Sequence, residues 1–198
     1  MQRRRLGLLG RLAVQVAWKC QGGDLGMPLV FASRYGDAAR TLELFAELAR
    51  GEPVSPTTFG ISVHNAIGGM YSIARGDHTH HLAVAAGAAT APAALVEALG
   101  LLADGAPEVM VICYDAPLPG AYAQFHDEPA VPYAWAWRLA RPVVNAPYIE
   151  LHAGAPAMHE EPPATLPIGL DALRFALSSD ATLTQQADGV RWTWRRHA

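Results

Sequence analysis

The chain has 198 residues, of which 51% are hydrophobic and 17% are charged, and its formal net charge is -3. This length allows one domain whose core needs no disulfide or metal ion to support it. Without a clustered basic surface the composition argues against nucleic-acid binding, and no stretch reaches the roughly 20 apolar residues of a membrane span. The low charged fraction predicts a thick core or a surface buried on another protein.

Neither cysteines nor histidines form a pattern that points to a cofactor. Cys20 and Cys113 lie far apart among apolar residues, which indicates a reducing, cytoplasmic location and two small buried side chains. The His-rich run at 78–81 has no second cluster of ligands at metal-binding spacing, so we predict a solvated turn there. We expect no cofactor and no metal site.

Helix-like and strand-like segments alternate through the first 140 residues. Apolar residues at helical spacing predict helices over 4–19, 37–50 and, with an irregular entry, 59–74. Short apolar runs predict buried strands over 29–33, 81–86 and 108–114, and the alternating segment 133–140 predicts a further strand at a sheet edge. This alternation is typical of a largely parallel sheet with crossover helices.

The segment Ala88–Ala103 carries one charge, Glu97, in sixteen residues. A helix that is apolar on all sides is expected to be buried on all sides. We therefore predict that both the sheet and some further layer cover this helix.

The character of the chain changes after Pro142, where prolines become frequent. We predict one short helix over about 167–178 and a terminal hairpin. In this hairpin Asp188-Gly189 forms the turn, and a strand containing Trp192 and Trp194 follows it. The tryptophans at alternate positions are expected to be core or interface anchors. Residues 1–142 are accordingly predicted to form the main unit, and residues 143–198 an irregular extension packed on the same domain.

Several segments resemble a known family. Asn65–Ala74 (NAIGGMYSIA) is similar to the N-x-x-A-G-x-x-S-I segment of thiolase-fold ketoacyl synthases, and the strand, apolar helix and strand that follow have that family's order. The closer resemblance is to the ketoacyl synthase-like chain-length factors of aryl-polyene clusters, through the segments 33–36, 55–59, 62–66, 114–119 and 192–196. It implies an α/β fold equivalent to half a thiolase, with a mixed, mainly parallel sheet and helices on both faces.

The resemblance also implies what the chain does. In the condensing enzymes of this family a nucleophilic cysteine lies between the second strand and the apolar helix, where this sequence has Gly87. Glycine supplies no thiolate, and the half that provides the catalytic histidines is not expected in this chain. The implied role is a non-catalytic chain-length factor that pairs with a catalytic ketoacyl synthase in aryl-polyene-type biosynthesis, with an acyl carrier protein as an indirect partner.

Two further expectations follow from the same resemblance. The amides of Ala88 to Thr90 are expected to form an uncapped helix N-terminus. This terminus is expected to face the position that the active site occupies in the condensing enzymes. A subunit interface is expected near the strand at 81–86, formed by His64, Asn65, Ala66, Gly68, Gly69 and Ser72. His64 also fits a purely structural role inside the chain.

Two other functional hypotheses stay open at this stage. The chain is an acyl-thioester hydrolase or acyltransferase if a serine or histidine on the same scaffold acts as its catalytic group. Ser33 with Asp115 and a histidine is one such arrangement, although no G-x-S-x-G elbow surrounds that serine. Alternatively it is a homodimer without a catalytic partner. Position 87 favours the chain-length-factor hypothesis over the enzyme hypothesis, and the homodimer stays open.

Overall fold

The structure is a computed structural model that describes residues 6–156 and 164–198. The described helices and strands occur in this order: α1 (Leu8–Gln21), β1 (Leu29–Ala32), α2 (Ala38–Ala49), α3 (Pro56–Gly60), α4 (Ala66–Arg75), β2 (His81–Val84), α5 (Thr90–Ala103), β3 (Glu108–Asp115), a 3-10 helix (Gly120–Phe125), β4 (Tyr133–Ala140), β5 (Tyr148–Gly154), α6 (Ile168–Leu177), β6 (Thr182–Ala187) and β7 (Val190–His197). Of the helix predicted from residue 4, residues 4 and 5 lie outside the described residues.

The first sheet has the strand order β2-β1-β3-β4. Strands β2, β1 and β3 are parallel, and β4 joins the edge in the antiparallel direction, as expected for an edge strand. Helices pack on both faces of this sheet. The predicted fold class, a mixed and mainly parallel sheet between helices, is therefore confirmed.

Alternation along β1 and β3 divides the core in two, because successive side chains of a strand point to opposite faces. Leu29, Phe31 and Met110 face α1 and α4, whereas Val30 and Val111 face α5. All eight residues of β3 except Glu108 are buried. A continuous apolar run thus gives a strand covered on both faces, which is what its composition predicts.

Strands β5, β7 and β6 form a second, antiparallel sheet in that order. Its inner face carries Leu151, Leu183, Trp192 and Trp194, which pack toward α5 and α6. Its outer face is polar and includes the pair Glu150 and Arg195, as expected for a sheet with one face in water. The prediction of an irregular extension is wrong in this respect, because β5 completes a regular sheet.

Helix α5 lies between the two sheets. Ala94, Ala98 and Leu102 are buried among side chains of the first sheet, α6 and β7. The predicted burial on all sides is nevertheless wrong, because Val96 and Leu99 remain 49% and 50% exposed. The C-terminal segment covers only part of the helix surface that the first sheet leaves open. Within the described ranges no helix is both long and apolar enough to cross a membrane.

Candidate functional site

Gly87 occupies a tight turn between β2 and α5. Its φ of +52° lies in the left-handed region that favours glycine. Thr90 closes the turn, because its hydroxyl donates to the Gly87 carbonyl at 2.7 Å and accepts from the Ala86 amide at 3.0 Å. A strand, a left-handed residue and a helix in succession form the geometry in which other folds present a nucleophile. Position 87 has this geometry without a side chain.

Asp188 bonds to the amide of Ala89, the residue just before α5. The expectation that the amides of Ala88 to Thr90 lack partners is therefore wrong for Ala89 and Thr90. The Ala89 amide donates to Asp188 Oδ2 at 3.1 Å, and the Thr90 amide donates to the Gly87 carbonyl at 3.3 Å. A carboxylate at this end of a helix interacts favourably with the positive end of the helix dipole. The chain thus supplies its own anion to the helix terminus.

Asp188 is held in place by the hairpin of β6 and β7. Asp188 and Gly189 form its two-residue turn and have φ values of +50° and +78°, which is the type I′ geometry that suits a right-handed strand twist. Below the turn, Ala187 and Trp192 are buried together with Ala89 at the start of α5. The hairpin therefore packs on the helix end and directs the carboxylate at Gly87.

This arrangement determines which chemistry the site allows. A Cβ atom placed on Gly87 would lie 2.6 Å from Asp188 Oδ2, so the carboxylate fills the space that a nucleophilic side chain would need. The site has no thiol or hydroxyl at position 87. The Asp188 carboxylate also accepts the hydrogen bond of the Ala89 amide, so this amide is not free to donate to the carbonyl oxygen of a substrate. The carboxylate of Asp188 therefore occupies the position next to Gly87 where a side chain would project.

A second polar cluster lies at the carboxyl ends of β1 and β3. Asp115 is only 6% exposed and accepts from the Ser33 hydroxyl at 2.8 Å and from the Arg34 amide at 3.0 Å. The Arg34 side chain pairs with Asp127 at 2.5 Å. These bonds tie the loop after β1 to the loop after the 3-10 helix, which is a structural role.

The cluster does not form the catalytic triad of the hydrolase hypothesis. The Ser33 hydroxyl donates directly to Asp115 and accepts from the Gly36 amide at 2.9 Å. His64 Nε2 bonds instead to the Ser33 carbonyl oxygen at 2.7 Å. A triad requires an imidazole between the serine hydroxyl and the carboxylate, and Ser33 is fully buried. Ser33, Asp115 and His64 therefore stabilise a loop, and the structural interpretation of His64 is supported by its bond.

Asp115 should make the stability of the protein depend on pH. Burial raises its pKa to about 6, so between about pH 4 and pH 6 the folded chain binds this proton more tightly than the unfolded chain. The contribution of Asp115 to stability is present at low pH and is lost as the pH rises through that window. We expect the stability advantage of wild type over Asp115→Asn to fall by about 2–3 kcal/mol from pH 4 to pH 7.

Urea denaturation at several pH values checks this expectation. Asp104→Asn removes an exposed carboxylate at the end of α5 and serves as the control. A constant difference between wild type and Asp115→Asn across the range would show that Asp115 is ionised throughout.

The structure places the six predicted interface residues along and just before α4. Asn65 is exposed, and Ala66, Gly69 and Ser72 are partly exposed. Gly68 is buried within the chain, where an added Cβ would lie 2.7 Å from the His81 ring and 3.1 Å from Phe31. Ser72 donates to the Asp77 carbonyl at 2.5 Å. Gly68 therefore packs α4 on the sheet, whereas an added Cβ on Gly69 meets no atom within 4 Å.

The fold and the turn at Gly87 define the class of protein. Two central helices, α5 and α6, lie between sheets in an α/β arrangement of half-thiolase type. The chain belongs to the family described as beta-ketoacyl synthase, N-terminal domain, whose model matches residues 1–195. The family predicted from the sequence is confirmed.

A solved structure shows the same fold. The chain matches a chain in the structure of the ketosynthase ApeO in complex with its chain length factor ApeC from Xenorhabdus doucetiae, with a TM-score of 0.87 and 29% sequence identity. The match covers 99% of this chain and 80% of that chain. No curated protein matches the chain.

Proposed function

We propose that this chain is a non-catalytic chain-length factor that pairs with a catalytic ketoacyl synthase. The observation that carries the proposal is the turn at position 87, where a member of the ketoacyl synthase family has glycine and an internal carboxylate in place of a nucleophile. The similarity to the ApeO–ApeC complex supports the pairing. The reaction served is acyl condensation of the aryl-polyene type in the cytoplasm, with substrates carried by an acyl carrier protein.

Co-expression tests the pairing. The chain should co-purify with a co-expressed catalytic ketoacyl synthase, and light scattering should give a heterodimer. Condensation of malonyl and acyl thioesters on the carrier protein should require both subunits. A stable homodimer that ignores the synthase, or turnover by this chain alone, would contradict the proposal.

The interface of this complex is proposed to contain α4 and the edge strand β2. Within the described residues, β2 pairs only with β1, so its other edge is available to a partner strand. Ile73, on α4, is 68% exposed, and Val63, just before α4, is 42% exposed. An open strand edge beside exposed apolar side chains is typical of a protein–protein contact.

Gly69→Trp should weaken association with the synthase at least tenfold and leave the subunit folded. The reason is that Gly69 has free space around it within the chain, so the added indole projects toward the partner. Gly100→Trp is the matched control, since Gly100 also lies in a helix with free space, on α5. Analytical ultracentrifugation measures the association, and circular dichroism the fold.

Gly68 is unsuitable for this test, because a side chain there collides with His81 inside the subunit. Unchanged association of Gly69→Trp would place the interface elsewhere. Equal weakening by Gly100→Trp would show that the contact extends over α5.

A further inference from the structure

A cleft of about 680 Å³ opens between the two sheets, away from Gly87. Leu95, Leu99 and Leu102 of α5 form its floor, and the walls come from three strands, through Trp137, Leu139, Ile149, Leu151 and Trp194. The volume falls within the roughly 300–1,000 Å³ typical of small-molecule sites, which are mostly apolar with a few polar groups. The three leucines alone extend over about 10 Å of helix.

Two arginines bring positive charge to this apolar cleft. Arg141 follows Trp137 and Leu139 at alternate positions, and Arg196 follows Trp194 in the same way, so both line the cleft. Arg141 donates from Nε and Nη2 to carbonyls at the end of α5, those of Leu102 and Ala103. Arg196 donates from Nη2 to carbonyls at the end of α6, those of Phe175, Ala176 and Ser178, and from Nε to the Asp180 carbonyl. The Nη1 group of each arginine is therefore the part that a ligand would meet.

These two guanidinium groups lack the carboxylate partners that the third arginine at the cleft, Arg138, has. Arg138 is paired with Asp24 at 2.6 Å and also with Glu108. In the part of the chain that the structure describes, neither Arg141 nor Arg196 has a carboxylate within ion-pair distance. The cleft therefore combines apolar walls with two guanidinium groups that no carboxylate of the described residues contacts directly, and the charge of Arg196 is felt by the nearby Asp180 carboxylate.

We propose that this cleft binds a long-chain acyl anion, with its hydrocarbon chain along α5 and its anionic group at Arg141 and Arg196. The apolar walls favour a hydrocarbon chain because its burial removes apolar surface from water. A purely apolar ligand would leave the two guanidinium groups without a directly paired carboxylate. A protein partner needs about 800 Å² of surface, whereas a concave cleft of this volume suits one small molecule. The site does not depend on the proposed pairing with a synthase.

Fluorescence titration of the purified full chain with cis-parinaric acid, a fluorescent C18 acid, tests the proposal. We expect saturable binding of one molecule per chain and at least fivefold weaker binding of the methyl ester, which lacks the charge. Equal affinities for acid and ester, or binding that does not saturate, would overturn the proposal.

Two matched pairs of variants locate the site. Leu99→Glu should weaken binding of the acid at least tenfold, whereas Val96→Glu should not, because Val96 is equally exposed on the same helix but does not line the cleft. Arg141→Gln should weaken binding of the acid about threefold or more without affecting the ester. Arg195→Gln, on the outer face of the second sheet, should change neither.

Circular dichroism checks that each variant is folded. We expect the chain to tolerate Leu99→Glu because Leu99 is half exposed. Unchanged binding by Leu99→Glu, or equal loss in Val96→Glu, would overturn the proposal. Sedimentation with anionic vesicles adds a further arm. If Leu99→Glu abolishes vesicle binding but leaves binding of the monomeric acid intact, the cleft contacts a lipid surface and the proposal is wrong.

Discussion

Gly87→Cys should yield a thiol that iodoacetamide alkylates at least tenfold more slowly than the same thiol in Gly87→Cys/Asp188→Gly. The reason is that Asp188 Oδ2 lies 2.6 Å from the position of the new Cβ. A carboxylate so close raises the pKa of the thiol, and each unit removes about nine-tenths of the reactive thiolate. Peptide mapping by mass spectrometry separates this thiol from Cys20 and Cys113.

The double variant keeps the hairpin intact, because glycine accepts the positive φ of residue 188 and Gly-Gly also forms a type I′ turn. Gly87→Cys/Asp188→Asn separates charge from size and should give an intermediate rate. None of the three variants is expected to condense acyl thioesters on its own. Equal alkylation rates in all three proteins would show that Asp188 does not close the site.

Trp194→Ala should lower the free energy of unfolding of the whole chain by about 3–5 kcal/mol. Trp194 is 1% exposed, contacts Phe175 of α6 and donates from Nε1 to Gln185 at 2.9 Å. It belongs to the same cluster as Val30 and Val111 of the first sheet. We therefore propose that residues 143–198 fold as part of one cooperative unit with residues 1–142.

Urea denaturation followed by far-ultraviolet circular dichroism and by tryptophan fluorescence measures this loss. Leu177→Ala is the control, because Leu177 is 80% exposed and its removal should change stability by less than about 0.5 kcal/mol. A variant that loses only the second sheet, while the first sheet unfolds as in wild type, would show two independent units.

The strands of the first sheet were predictable because their local composition determines their environment. The run Val109–Tyr114 is apolar throughout, and an apolar run of this length is typical of a strand buried on both faces. The burial of α5 was predicted wrongly because composition shows that a helix needs cover but does not show how much of it the same chain provides. Strand β5 had a detectable signal, since Ile149, Leu151 and Ala153 alternate with polar residues.

The contact between Asp188 and the residue before α5 could not be predicted in this way. Asp188-Gly189 predicts a hairpin turn from local chemistry alone, but the carboxylate accepts a hydrogen bond from an amide 99 residues earlier in the chain. Where the hairpin packs depends on the burial of Ala187 and Trp192 against Ala89. No motif spans these segments, so only the folded arrangement brings the carboxylate to position 87.

The two-residue turn at 188–189 links the burial of Trp194 in the core to the position of the Asp188 carboxylate beside Gly87. The same strand register that turns Trp194 toward the core also brings Asp188 to Gly87, because side chains alternate with a period of two along β7. A one-residue insertion in this hairpin would move the tryptophans toward water and withdraw the carboxylate together. The packing of the tryptophans and the position of the Asp188 carboxylate beside Gly87 therefore depend on the same hairpin length. A chain that reopened this site would first have to rebuild its core.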